Sequence, residues 1–117
     1  MSCLVLRDDP KAHEFLDITD RILQGQLPRL IGGPAASVVG KRDVELLALK
    51  TQSHERPNAA ACFVAHRLAA NDQVDVFGTA VLVGPTATLR RVAEALVAEG
   101  LAASSLIESI DENSAWF

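Results

Sequence analysis

The chain has 117 residues, of which 49% are hydrophobic and 22% charged, and its formal net charge is −4. This length suits one domain with its own core, and the composition is too apolar for a disordered chain. Eleven basic residues among fifteen acidic ones leave no basic stripe for phosphate backbones, which argues against nucleic-acid binding.

We expect neither an export signal nor a membrane-spanning segment in this sequence. Its first ten residues, MSCLVLRDDP, are too short and too soon charged for a signal peptide. The apolar runs end well short of the roughly 18 residues that span a bilayer. Two cysteines, Cys3 and Cys62, make no disulfide framework. We therefore expect a cytoplasmic protein that does not bind membranes.

The first half of the chain predicts two strands, a helix and a hairpin. Strands are expected over 2–7 and 13–19, separated by a turn. Residues 20–31 have helical spacing, although Pro28 should bend or break the helix, and Gly32 and Gly33 should end it. Apolar runs at 36–39 and 44–50 around the letters GKRD predict a β-hairpin.

The second half predicts a helix, a strand and two more helices. Asn58 is a good N-cap for a helix over 59–70. The β-branched run 74–84 predicts a strand at the centre of the sheet. Helices over 85–100 and 105–110 follow.

The order ββα–ββα–βαα predicts an α+β fold: a small mixed or antiparallel sheet of about five strands with helices packed on it. No repeat or linker divides the chain, so residues 1–117 are expected to form a single domain. The segment 111–117 is treated as a flexible tail, because chain ends are commonly poorly ordered.

The letters HERPNAAACFVAHR, residues 54–67, are the densest group of reactive side chains. Helical spacing puts Phe63 away from the core face of the helix, with His66 at i+3 and Arg67 at i+4. The last helix or the tail could cover Phe63, and so could a partner chain. A small ligand is the third candidate, with Phe63 stacking on a ring and Arg67 or Arg56 pairing with an anion.

Catalysis and metal binding are weaker interpretations of the same segment. Cys62 and His66 are four residues apart, which is the spacing of a nucleophile and its base, or of two metal ligands with His54 as a third. Cys62 leans toward the core, and one i,i+4 pair without a second pair is a weak metal signal. We expect no catalytic residue, no metal and no cofactor.

Two further places could contact a ligand or partner. Thr86 and Thr88 open the helix after the central strand, where free backbone amides attract anions, although ordinary capping also explains them. Trp116 stands in the tail, beside Phe117. An aromatic pair there either folds back on the domain or docks on another subunit or target.

Three groups of residues give the chain a family likeness: Leu30-Ile31-Gly32-Gly33, Asn58 with Ala59, and the run from Phe77 to Gly84. Over residues 1–85 the chain resembles a family of small phage- and plasmid-borne proteins of unknown function. Members show similar V-G-G, N-x-x-A and G-t-v-l-V-G motifs. The resemblance implies an accessory role such as host takeover or counter-defence, and it implies no catalytic residue.

Three functions remain open on the sequence. The first is a self-associating, non-enzymatic binding protein that sequesters a host protein or a small anionic ligand such as a nucleotide. The second is a small enzyme that acts on a nucleotide or phosphorylated substrate. The third is a purely structural assembly subunit. The first hypothesis uses Arg56, Phe63, His66, Arg67, Thr86, Thr88 and Trp116 as its binding residues.

Overall fold

Five strands form one antiparallel sheet in the computed structural model, which describes residues 2–7, 9–17, 20–49, 57–70 and 75–114. The strands are β1 (Ser2–Leu6), β2 (Glu14–Asp17), β3 (Ala35–Lys41), β4 (Val44–Leu49) and β5 (Ala80–Gly84). They lie in the order β2-β1-β5-β4-β3, and every neighbouring pair is antiparallel. The predicted α+β fold with about five strands is confirmed.

Four helices in the described part of the chain cover the two faces of this sheet. They are α1 (Asp20–Ile31), α2 (Ala59–Ala69), α3 (Thr86–Ala98) and α4 (Ser105–Ser114). Helices α2, α3 and α4 share one core with the side chains of Leu4, Leu46 and Leu82. Helix α1 packs on the opposite face, where Ile31 joins a second core. The sheet is therefore a middle layer between helices.

The alternation of side chains along a strand explains why β1 and β5 are apolar at almost every position. On β1, Leu4 and Leu6 point to the three-helix face while Cys3 and Val5 point to α1. All five residues of β1 and all five of β5 are buried. Central strands that are covered on both faces read as continuous hydrophobic runs, even in an antiparallel sheet.

Strand β5 is central, as predicted, but it is shorter than the expected strand over 74–84. It begins at Ala80, because the residues before it form a turn and hydrogen bonds to the start of α2. Gly78 has a positive φ of 72°, which turns the chain. The Val76 carbonyl accepts the Asn58 N–H at 2.7 Å, and the Val76 N–H donates to the Cys62 sulfur at 3.2 Å. These contacts anchor the segment to α2 instead of to the sheet.

Of the bend or break expected at Pro28, the break does not occur, because α1 continues through this residue to Ile31. Proline has no N–H, so the carbonyl of Gln24, four residues earlier, receives no helical hydrogen bond from residue 28. Both residues are exposed, so a water molecule can donate to this carbonyl instead. The predicted glycine stop is confirmed. Gly32 has a φ of 93°, and the Pro28 carbonyl accepts the N–H groups of Gly32 and Gly33, both at 2.9 Å.

The first four residues of the expected tail 111–117 are helical. Helix α4 extends four residues past the predicted helix over 105–110 and ends at Ser114. Asp111 is held on α3, since its carboxylate accepts two hydrogen bonds from Arg90 at 2.7 and 3.2 Å. The rest of the tail, 115–117, lies outside the described residues.

Asn58 joins three parts of the fold through one fully buried side chain. Its Oδ1 accepts the N–H of Ala61 at 3.1 Å, which is the predicted N-cap bond. Its Nδ2 donates to the carbonyls of Leu6 at 2.9 Å and Gly78 at 2.8 Å. The start of α2 is thereby fixed to the end of β1 and to the turn before β5.

Replacing Asn58 should be among the most destabilising polar substitutions in this chain. Asn58→Ala removes the helix cap and leaves one buried and one partly buried carbonyl without their donor, so we expect a loss of about 3 kcal/mol in the free energy of unfolding. Chemical denaturation followed by circular dichroism measures it. The matched control is Asp9→Ala, which removes an exposed side-chain bond to the Lys11 N–H and should cost under about 0.5 kcal/mol. Equal losses for the two variants would contradict this role of Asn58.

Candidate functional site

A shallow groove of about 200 Å³ runs between α2 and α3 on the outer side of the three-helix layer. We call it the α2–α3 groove. Its lining residues are Phe63, Val64, Arg67 and Leu68 from α2, and Arg91, Val92 and Ala95 from α3.

Helical spacing explains why these residues share one surface. The four from α2 are at i, i+1, i+4 and i+5, and the three from α3 are at i, i+1 and i+4, so each set is a stripe along its helix. Val64 is fully part of the core, while Leu68 and Val92 are only partly buried. The groove is thus an opening onto the edge of the hydrophobic core, with an apolar floor.

Phe63 forms one wall of the groove and is half-buried against the rim of the core. The sequence placed it away from the core face of α2, and the structure puts it between the interior and solvent. The guanidinium carbon of Arg67 lies 5.3 Å from the centre of the Phe63 ring, the geometry of a cation–π contact. The predicted i,i+4 pairing of Phe63 and Arg67 is therefore confirmed.

The two arginines of the groove differ from their neighbour Arg90 in having no acidic partner within the described residues. Arg90 forms ion pairs with Asp111 and with Glu94. Its hydrogen bonds to Asp111 raise the pKa of Arg90, and the same bonds lower the pKa of the Asp111 carboxyl. Arg67 and Arg91 are exposed and remain available to pair with an incoming anion.

The helix-start site predicted at Thr86 and Thr88 does not belong to this groove. The Thr86 hydroxyl pairs with the Ser2 hydroxyl at 2.7 Å, so it is used inside the fold. Thr88 is on the same stripe of α3 as Val92 and Ala95 but does not line the groove. Helix α3 begins after Pro85 with no side-chain cap bond.

The Cys62 thiol, the candidate nucleophile of the Cys62–His66 pair, is engaged inside the fold. Cys62 is buried, and its sulfur accepts the Val76 N–H at 3.2 Å and donates to the Val76 carbonyl at 3.5 Å. The thiol is therefore used to hold the 75–77 segment. His66 is half-buried and is not among the residues of the groove. No group of three metal-ligating side chains occurs within the ranges that the structure covers.

Two of the predicted binding residues, Arg56 and Trp116, lie outside the described residues, as does His54. Conversely, sequence reasoning missed Arg91, Val92 and Ala95 as parts of the same surface as Phe63. Their signal was present, since they form a stripe at helical spacing beside the core stripe of α3. Nothing in the sequence, however, says which helix that stripe faces.

A second, larger depression of about 570 Å³ lies on the α1 face, beside the hairpin of β3 and β4. Leu27, Leu47 and Val83 contribute apolar surface to it. Its charged residues are Lys41, Arg42, Asp43 and Glu45. Two cations and two anions side by side select neither an anionic nor a cationic ligand, so this depression does not define a chemistry.

Comparison with known proteins gives no match from which a function could be inferred. None of the helices in the part of the chain that the structure describes has the length and apolar character needed to cross a membrane. No protein-family model, curated protein sequence or solved structure matches this chain. Function is therefore inferred from the geometry of the α2–α3 groove.

Both cysteines should be unreactive in the folded protein. Burial raises the pKa of the Cys3 thiol to about 11, so it stays protonated at neutral pH, and Cys62 is held by Val76. An aromatic disulfide reagent at pH 8 should label neither thiol until denaturant is added. Fast labelling of Cys62 in the folded state would restore it as a candidate nucleophile.

The ion pair of Arg90 with Asp111 should be visible in a titration. The arginine stabilises the ionised Asp111 carboxylate and so lowers the pKa of this carboxyl group in the folded protein. The ion pair therefore stabilises the fold at pH values above the ordinary carboxyl pKa, and this stabilisation is lost as the pH falls through the lowered pKa of Asp111. Carbon-detected NMR of the Asp111 carboxyl should show an upward shift of its pKa in Arg90→Gln. The control Arg29→Gln, on the other face of the sheet, should leave it unchanged.

Proposed function

We propose that this protein is a non-catalytic binding protein whose α2–α3 groove receives a bulky apolar side chain, flanked by acidic residues, from a partner protein. The observation that carries the proposal is the half-buried Phe63 on an apolar groove, with Arg67 and Arg91 at its edges and no acidic partner for either arginine within the described residues. Aromatic side chains and arginine are the residue types that most often dominate protein–protein binding energies.

The apolar floor favours a hydrophobic occupant. Leu68 and Val92 are left partly exposed by the fold, and the Phe63 ring stands beside them. A large aromatic side chain buries about 150–250 Å², which corresponds to about 4–6 kcal/mol of gross hydrophobic stabilisation before the costs of association. One inserted side chain can therefore anchor a complex.

The size of the groove favours a protein over an enclosed small molecule. Sites that bury drug-sized ligands usually measure about 300–1,000 Å³. The α2–α3 groove measures about 200 Å³, which suits one large side chain and leaves little room for a nucleotide. This comparison puts a protein partner ahead of the anionic small ligand.

The charges of the groove favour acidic residues next to the inserted side chain. Arg67 and Arg91 are exposed and unpaired within the described part of the chain, whereas Arg90 is neutralised by Asp111 and Glu94. A guanidinium pairs well with carboxylates, and complementary charge raises both specificity and association rate. An acidic, hydrophobic segment is therefore the partner chemistry that fits.

The enzyme hypothesis is less well supported, because the Cys62 thiol is buried and hydrogen-bonded to the backbone of Val76. The structural-subunit hypothesis differs from the proposal only in the occupant, since it would use the same groove as a permanent interface. The resemblance to phage- and plasmid-borne proteins stays a prediction, and under it the partner would be a host protein.

A peptide series tests the proposal directly. Seven-residue peptides with a central Trp flanked by Asp, Asn or Lys would be titrated onto isotope-labelled protein. We expect the acidic peptide to bind most tightly, with NMR shifts centred on Phe63, Arg67 and Ala95. Arg67→Gln and Arg91→Gln should each weaken it about 3- to 10-fold, as expected for the loss of one partly exposed charge pair.

Phe63→Asp should abolish this binding while the fold, checked by circular dichroism, is kept. The matched control is Ala59→Asp, which adds the same charge at an exposed position of the same helix. Equal binding of the acidic and basic peptides, or shifts that map outside the groove, would refute the proposal.

A further inference from the structure

We infer that the occupant of the α2–α3 groove is Trp116 of a second copy of this chain, so that the protein self-associates by exchanging its C-terminal segments. This inference rests on the proposed function, because it needs the groove to accept an acidic, aromatic segment.

The chain itself carries the chemistry that the groove selects. Helix α4 has exposed acids at Glu108, Asp111 and Glu112, and Trp116 follows a few residues later. Asp111 forms an ion pair with Arg90. Glu108 and Glu112 are one helical turn apart, and both are exposed to solvent. Trp116 is the only tryptophan of the chain, and its large aromatic side chain is of the kind that the groove accepts.

The position of α4 favours insertion of Trp116 into the groove of a second copy over insertion into the groove of the same chain. Helix α4 packs on the flank of α3 that carries Arg90, through Asp111. The groove is on another flank, since Ala95 is five residues from Arg90 and hence roughly 140° around the helix. Helix α3 therefore stands between the end of α4 and the groove.

The connection between α4 and Trp116 is short compared with the width of α3. One residue, Ala115, lies between Trp116 and the end of α4 at Ser114, so the Cα atoms of Ser114 and Trp116 are at most about 7 Å apart. A helix with its side chains is about 10–12 Å wide. Insertion into the groove of a second copy avoids this crossing. Reciprocal insertion fills both grooves and closes the assembly as a two-fold dimer.

The single tryptophan makes the inference testable by fluorescence. Dilution should shift the emission of the unmodified protein to longer wavelength, as Trp116 leaves the groove of the second copy. Sedimentation should show a dimer that is weakened at least 10-fold in both Trp116→Ala and Phe63→Asp, and unchanged in Ala59→Asp. Interference optics are needed, because Trp116→Ala leaves no Trp or Tyr in the chain.

A mixing experiment isolates the contact itself. Phe63→Asp keeps its tryptophan but has a damaged groove, while Trp116→Ala has an intact groove and no tryptophan. Adding the second protein to the first should shift the emission to shorter wavelength. Adding the double variant Phe63→Asp/Trp116→Ala should not, because it offers no intact groove.

The outcomes separate this inference from the function on which it rests. Emission that never changes with concentration or mixing overturns it, whether Trp116 is always exposed or is buried within its own chain. If the acidic peptides still bind the groove in that case, the proposed function stands and the occupant belongs to another protein. If the peptides fail as well, both fall.

Discussion

The buried Asn58 side chain is the constraint on which the position of the groove depends. Its three hydrogen bonds tie the first turn of α2 to the end of β1 and to the turn that precedes β5. Phe63 and Arg67 follow at fixed helical offsets, so their positions are set as soon as α2 is anchored. Ala61, which is fully buried, supplies the N–H that Asn58 caps.

The other wall of the groove depends on the same central strand. Helix α3 begins two residues after β5 ends, with only Pro85 between them. Arg91 and Val92 are therefore positioned by β5 as directly as Phe63 is positioned by Asn58. One helix is thus tied to β1 and to the turn before β5, the other follows β5 directly, and the opening between them is a preformed surface. Binding to it requires little ordering of the backbone, which lowers the cost of association.

The candidate site could be predicted in part from local spacing. The pairing of Phe63 with Arg67 follows from their i,i+4 separation, and it is present in the structure. Thr86 looked like an anion contact, because the sequence gives no sign that its hydroxyl meets Ser2, 84 residues away. Arg90 and Arg91 look equivalent in the sequence. They differ because Asp111 reaches Arg90 from another helix and does not reach Arg91.

The sequence by itself determined the element types, because these follow from short-range physics: the cap at Asn58, the glycine stop after α1, and the apolar runs that become β1 and β5. Only the tertiary structure decided the order of the strands, the hydrogen bonding of Val76 to α2 and not to a strand, and the placement of α2 beside α3. Each of these depends on contacts between distant residues, whose free energy is set by the packed fold and cannot be read from periodicity along the chain.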